Sequence, residues 1–264
     1  MAITTLDGVI AAAKQRIQLF KSTSRTSVAA MPFSVFDIAG NPGAGTLAGT
    51  STTTGVVPTD DTAGYPKIND FGGNATGYIA RVEGSNTVPC RITLFDMLWK
   101  GGAYAYNVST SGNSPASFAS RIPGGNNYTG LELWYEQVTA GTGVQGVNVS
   151  YTNELGAAKS TGVIAAPAAM ILGRMFQIPL AAGDKGIQGV TGVVGSTATV
   201  GTFNLLVMRP LAEIRIRAAN DGIVQDALMT GMPQVFADSA LVMVVTTDST
   251  ATQLPELVVD IING

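Results

Sequence analysis

Residues 141–146 read GTGVQG, the G-x-G-x-x-G spacing that in a dinucleotide site turns a strand sharply into a helix whose unpaired N–H groups hold a pyrophosphate. That chemistry requires the helix. Here LELWYEQV precedes the glycines, and the β-branched, alternating VNVSYT follows them with no N-cap. The stretch therefore reads as a turn between two strands. Glu132 and Glu136 lie an even number of residues apart, on one face of the first strand, as the acid pair of a glycosidase would. With no partner groove legible, a solvated strand face bearing two acids is the simpler reading. Asp60, Asp61 and Asp70 lack the ligand spacing of a calcium loop. Cys90 is the one cysteine, so no internal disulfide forms, and its setting in VPCRITLF is that of a small buried hydrophobe. The chain has no histidine, which removes the usual general base, nucleophile partner and metal ligand. The sequons at Asn74, Asn107, Asn127 and Asn148 matter only in a secreted eukaryotic protein. No enzyme activity, cofactor or metal is expected.

Apolar residues make up 45% of the 264 residues and charged ones only 12%, about half the usual share for a soluble domain. A surface so short of charge fits one largely covered by copies of itself or by partners, because interface cores are depleted of charge. Every apolar run is interrupted before it reaches membrane-spanning length, and 7% aromatic content is too low for the girdles of an outer-membrane barrel. A net charge of −3 argues against nucleic-acid binding; the best basic cluster, Lys14, Arg16, Lys21 and Arg25, reads as a helix face and its exit. MAITTLDGV lacks the basic and apolar segments of a secretory signal.

Thr4 and Thr5 precede Leu6, Val9, Ile10, Ala13, Ile17 and Phe20, spaced by three and four, with Asp7 in the first turn. This predicts a capped amphipathic helix over residues 5–21, an arm whose stripe needs a cover. Residues 22–74 are dominated by Gly, Thr, Pro, Ala and Asp, with one short apolar segment containing Phe33 and Phe36, and read as an extended wrapping segment with no packed core of its own. After Gly77 come short β-type runs separated by turn compositions, the pattern of an antiparallel β-sandwich, jelly-roll-like in kind. VNVSYT and TGVIAA should pair as a hairpin around NELGAAKS. Residues 100–130 read as a polar insertion whose Tyr104, Tyr106 and Tyr128 suit a contact surface. Pro210 should end a strand at a tight corner, and residues 218–238 hold one short helix. The expected organisation is helix and arm over 1–74, sandwich over 75–264.

In order along the chain, MAITTLDGVIAAAKQ, FDIAGNPGAGTLAGT, RITLFDMLWKGG, VNVSYTNELGAAKSTGVIA, IPLAAGDKGIQGV and LLVMRPLAEIRI resemble a group of tailed-bacteriophage virion structural proteins that coat or cement a capsid shell. The resemblance spans most of the chain and rests on composition rather than on chemical motifs. It implies a β-rich, self-associating, non-enzymatic decoration or cement protein located in the virion, with a phage major capsid protein as partner and trimeric clusters as one arrangement. On this reading Leu6, Val9, Ile10, Ile17, Phe20, Phe33 and Phe36 hold the lattice, with Tyr104, Tyr106 and Tyr128 as further contacts. A tail or neck component is the near alternative. A carbohydrate-binding β-sandwich, stacking Trp99, Trp134 and the same tyrosines on sugars, is the competing class.

Overall fold

The computed structural model describes residues 5–23, 25–72, 76–111, 115–167, 170–195 and 200–264. The sequon at Asn74, the N-cap candidate Thr4 and residues 196–199 of the GSTATVG stretch lie outside them. Along the chain run α1 (Leu6–Ala11), β1 (Lys14–Lys21), β2 (Phe33–Ser34), β3 (Gly40–Asn41), β4 (Ser51–Val56), β5 (Gly77–Asn86), β6 (Cys90–Ala105), β7 (Ser109–Ser111), β8 (Glu132–Thr139) and β9 (Gly146–Asn153). There follow β10 (Ala158–Ala165), β11 (Met175–Ile178), β12 (Ile187–Gly195), β13 (Thr202–Ile216), β14 (Asp221–Gln225), α2 (Ala227–Thr230), β15 (Gln234–Val235), β16 (Leu241–Thr247) and β17 (Glu256–Asn263).

The two longest strands set the architecture. β6 and β13 pair antiparallel through three register shifts in a seven-stranded sheet of order β11-β8-β13-β6-β16-β2, with β4 also on β6. A six-stranded sheet, β14-β5-β17-β1-β3 with β15 beside β5, and a four-stranded sheet, β10-β9-β12-β7, complete the antiparallel fold. Ile92 and Leu94 of β6, with Ile214 and Ile216 of β13, pack against Ile17, Val82 and Val259 of the six-stranded sheet. Farther along the same strands, Leu98, Phe203 and Leu205 pack with Val149, Tyr151 and Val190 of the four-stranded one. Two sandwiches thus share one central sheet. Successive residues of β16 alternate between cores: Leu241, Met243 and Val245 face the first, while Val242 and Val244 join a third with Phe95, Trp134, Leu206 and Met208 on the opposite face. Phe36 and Tyr65 cover that third cluster.

Several expectations change. The predicted 5–21 helix stops at Ala11, because Lys14 to Phe20 pair with β17 and residues Ile17, Leu19 and Lys21 alternate inward. The alternation in RIQLF is a period of two that the helical spacing of Leu6, Ile10, Ile17 and Phe20 masked. Residues 22–74 do carry core: Phe33, Val35, Phe36, Leu47, Tyr65, Ile68 and Phe71 are buried against this chain's own sheets. Burying such side chains stabilises by roughly 1.5–3 kcal/mol each. Residues 100–130 are not a polar surface insertion at their start, since β6 runs on to Ala105 and buries Tyr104. Pro210 ends nothing: β13 continues through it with a register shift between Pro210 and Ala212, a bulge that spares the ladder a missing donor. The β9–β10 hairpin and a short helix within 218–238, α2, are present as expected.

Between Leu94 of one sandwich and Leu98 of the other, β6 places a charge. Asp96 is fully buried and accepts from Arg121 at 2.6 Å, Arg209 at 3.2 Å, the Ser239 hydroxyl at 2.8 Å and the Ala240 N–H at 3.0 Å. Arg121, also wholly buried, donates onward to the carbonyls of Met97, Pro58 and Asp238. Arg209 reaches the Gln234 carbonyl at 2.9 Å. Removing the carboxylate strands two guanidinium groups away from water. Asp96→Ala is expected to remove about 3–5 kcal/mol of stability, read from urea unfolding; a loss below about 1 kcal/mol, the worth of an exposed pair, would contradict this role.

Candidate interaction surface

Residues 140–145 carry the chain from β8 in the central sheet to β9 in the four-stranded one, with no helix after the glycines. Gly141 is there for packing: a Cβ on it would stand 2.2 Å from the Tyr106 hydroxyl. Gln145 is buried and donates from Nε2 to the Tyr106 carbonyl at 2.7 Å, which anchors the turn.

Glu132 and Glu136 do share a face, but the cover over that face separates them. Glu132 lies in an open groove of about 590 Å³ with Phe95, Trp134, Arg91 and Glu213, and accepts from the Trp134 indole at 2.8 Å. Burial holds its carboxyl above the usual carboxylate range. Arg91 is paired to Glu213 at 3.2 Å. Glu136 is sealed under the cover, hydrogen-bonded to Asn204, so the expected solvated face carrying both acids does not exist. Asp60 is buried and held by Lys67 at 2.9 Å and by the Ile68 N–H. Among the described residues no three His, Cys, Asp or Glu gather as metal ligands. Cys90 is buried as expected, its thiol pushed up to about 11 by burial, where a thiolate nucleophile is suppressed.

The residues expected to contact a partner divide sharply. Leu6 and Ile10 are 69% and 64% exposed, and no residue of α1 is buried. The helix is fixed at its start by Thr5, whose hydroxyl accepts from the Gly8 N–H at 3.1 Å, with Asp7 in the first turn. Val9 is half-buried, and Phe20 points outward from β1. Ile17, Phe33, Phe36, Tyr104 and Tyr106 belong to this chain's own cores, a correction: strand alternation turns Ile17, Phe33 and Tyr104 inward, while Phe36 and Tyr106 lie in turns folded onto the sheets. Tyr128 is half-buried, edge-on to Phe118. Trp99 is fully buried and Trp134 nearly so, at the floor of the open groove, so the two do not form an exposed platform for a sugar.

Sequence reasoning missed a second apolar surface. β14 is an edge strand with Ile223 and Val224 exposed, and α2 beside it exposes Leu228 at 91% and Met229. Its signal was readable in GIVQDALMT, where apolar residues stand between turn and cap residues. Asp226 caps α2 by accepting from the Leu228 and Met229 N–H groups. Among the described residues no helix is long and apolar enough to cross a membrane.

No family model and no curated protein matches the chain. Among solved structures, infectious bursal virus derived T=1 particles align over 96% of this chain and 78% of that one, at 9% identity and a TM-score of 0.19. The infectious bursal disease virus Gt strain aligns over 96% and 81%, at 8% identity and a TM-score of 0.19. Likeness at that level carries no argument about this chain.

The division between surface and core has a direct check. Leu6→Glu combined with Ile10→Glu is expected to shift unfolding by no more than about 0.5 kcal/mol, whereas Tyr104→Ala should cost about 3–5 kcal/mol. Urea denaturation of both proteins measures this, and a reversed order would contradict the assignment.

Proposed function

We propose that this chain is a non-enzymatic structural protein of a bacteriophage virion, a capsid decoration or cement protein that self-associates and grips the shell through α1. The observation that carries the reading is the capped helix α1, whose Leu6 and Ile10 are uncovered and none of whose residues is buried against this chain. Support comes also from the low charge, from the apolar edge formed by β14 and α2, and from the resemblance of the ordered segments to phage coat and cement proteins.

The mechanism is additive. Each copy contributes a small apolar contact through α1 and another through an exposed edge, and lattice symmetry repeats them until many weak contacts act as one strong attachment. A rigid double sandwich suits the task, because a cement resists the opening of joints only if it does not itself stretch.

Residues 14–40 belong to the fold, so the informative truncation removes residues 1–12 alone. The full chain is expected to be oligomeric by light scattering and to co-sediment with empty phage capsids in a fixed ratio, and the truncation to stay folded and lose attachment. A folded monomer that ignores shells, or a truncation that still binds in full ratio, would overturn the reading.

A further inference from the structure

Three polar residues stand together on the covered face of the central sheet. In the register of β13, Leu206 pairs with Lys100 of β6 and Asn204 pairs with Glu136 of β8. Asn204 and Leu206 are two apart and share a face, so Lys100 and Asn204 are diagonal neighbours across two strands, separated by roughly 7–8 Å. A lysine stem spans that distance. All three side chains are buried beneath Phe36 and residues 46–49, and β6 makes room with glycine: a Cβ on Gly102 would stand 2.3 Å from Asn204 Oδ1.

The hydrogen bonds give the Asn204 amide a fixed orientation. Its Oδ1 accepts from the Gly49 N–H at 2.9 Å, while its Nδ2 donates to the Leu47 carbonyl at 2.7 Å and to Glu136 Oε2 at 2.8 Å. A donor on the carbonyl oxygen polarises the carbon for attack, and the carboxyl touches the nitrogen that would leave. Lys100 donates to the Thr46 carbonyl at 2.9 Å and lies 5.0 Å over the Phe36 ring. Burial lowers the pKa of its ammonium and raises that of the Glu136 carboxyl. Both shifts favour a neutral amine beside a protonated acid.

We propose that Lys100 and Asn204 form an intramolecular isopeptide bond, with Glu136 as the proton carrier. Lys100 turns from Thr46 and its Nζ lone pair attacks Asn204 Cγ, forming the new C–N bond. Glu136 gives its proton to Nδ2, the Cγ–Nδ2 bond breaks, and ammonia leaves. The surplus proton on Nζ returns to the Glu136 carboxylate, so one amide replaces another and no oxidant or cofactor is consumed. The product staples β6 to β13 covalently, independently of any virion role.

Intact-mass spectrometry of the full chain, followed by peptide mapping, tests this. The wild type is expected to weigh one ammonia less than its sequence and to yield a linked pair of peptides containing Lys100 and Asn204. Glu136→Gln and Lys100→Arg, each confirmed folded by circular dichroism, should keep the full mass and yield the two peptides separately. A wild type that retains its full mass after prolonged incubation, an ammonia loss confined to one unlinked peptide, or a Glu136→Gln chain that still links would each overturn the proposal.

Discussion

The structure depends on a single buried carboxylate. Asp96 sits where the two sandwiches meet on β6, and its four partners come from β13, from the Ala119–Arg121 turn and from residues 239–240. A hydrophobic residue there would fuse the two cores but hold none of these segments in register. Taking an aspartate and an arginine wholly out of water is tolerable because Arg121 and Asp96 meet at 2.6 Å, because Asp96 also accepts from Arg209, Ser239 and the Ala240 N–H, and because Arg121 Nη1 and Nη2 reach backbone carbonyls, leaving its Nε alone unpartnered. What the ion pair contributes is position rather than net energy.

The same device recurs along the covering segment. Carbonyls of Thr46, Leu47, Thr54 and Pro58 are each taken by a buried side chain of the body: Lys100, Asn204, the Trp99 indole and Arg121. A chain with little regular structure leaves many backbone groups unpaired, and in a dry location each must be satisfied. Buried polar side chains add to the β4–β6 pairing and do for the rest of residues 46–58 what ladder bonds do for a strand.

This explains what was legible in the sequence. Most strands from β5 onward and the β9–β10 hairpin follow from alternation and composition, which are local properties; the short β7, β14 and β15 were not legible. The fate of residues 22–74 is not local: Phe33, Phe36 and Tyr65 look like isolated apolar residues until the sheet they cover is known. The β1 strand was hidden because Leu6, Ile10, Ile17 and Phe20 satisfy a helical period while Ile17 and Leu19 satisfy a strand period, and only pairing with β17, 235 residues and more farther on, decides between them. On the candidate surface, Leu6 and Ile10 could be read because α1 is local, whereas the burial of Tyr104 and Tyr106 depends on Phe203 and Gln137 from distant strands.

Outside its cores the chain leaves α1, the β14 edge, α2 and scattered residues such as Leu155 and Val163 uncovered, while Ile17, Phe33, Phe36, Tyr65 and Phe71 are held by its own body. That division is the centre of the account. Hydrogen–deuterium exchange on the isolated chain tests it most directly. The prediction is that the amides of Ser34, Gly45 and Ala116, bonded to Gly173, Phe36 and Thr54 respectively, exchange as slowly as those of β6, while α1 exchanges at once. Rapid exchange across residues 33–71 in the free chain would contradict it and return that segment to the role of an arm awaiting a neighbour.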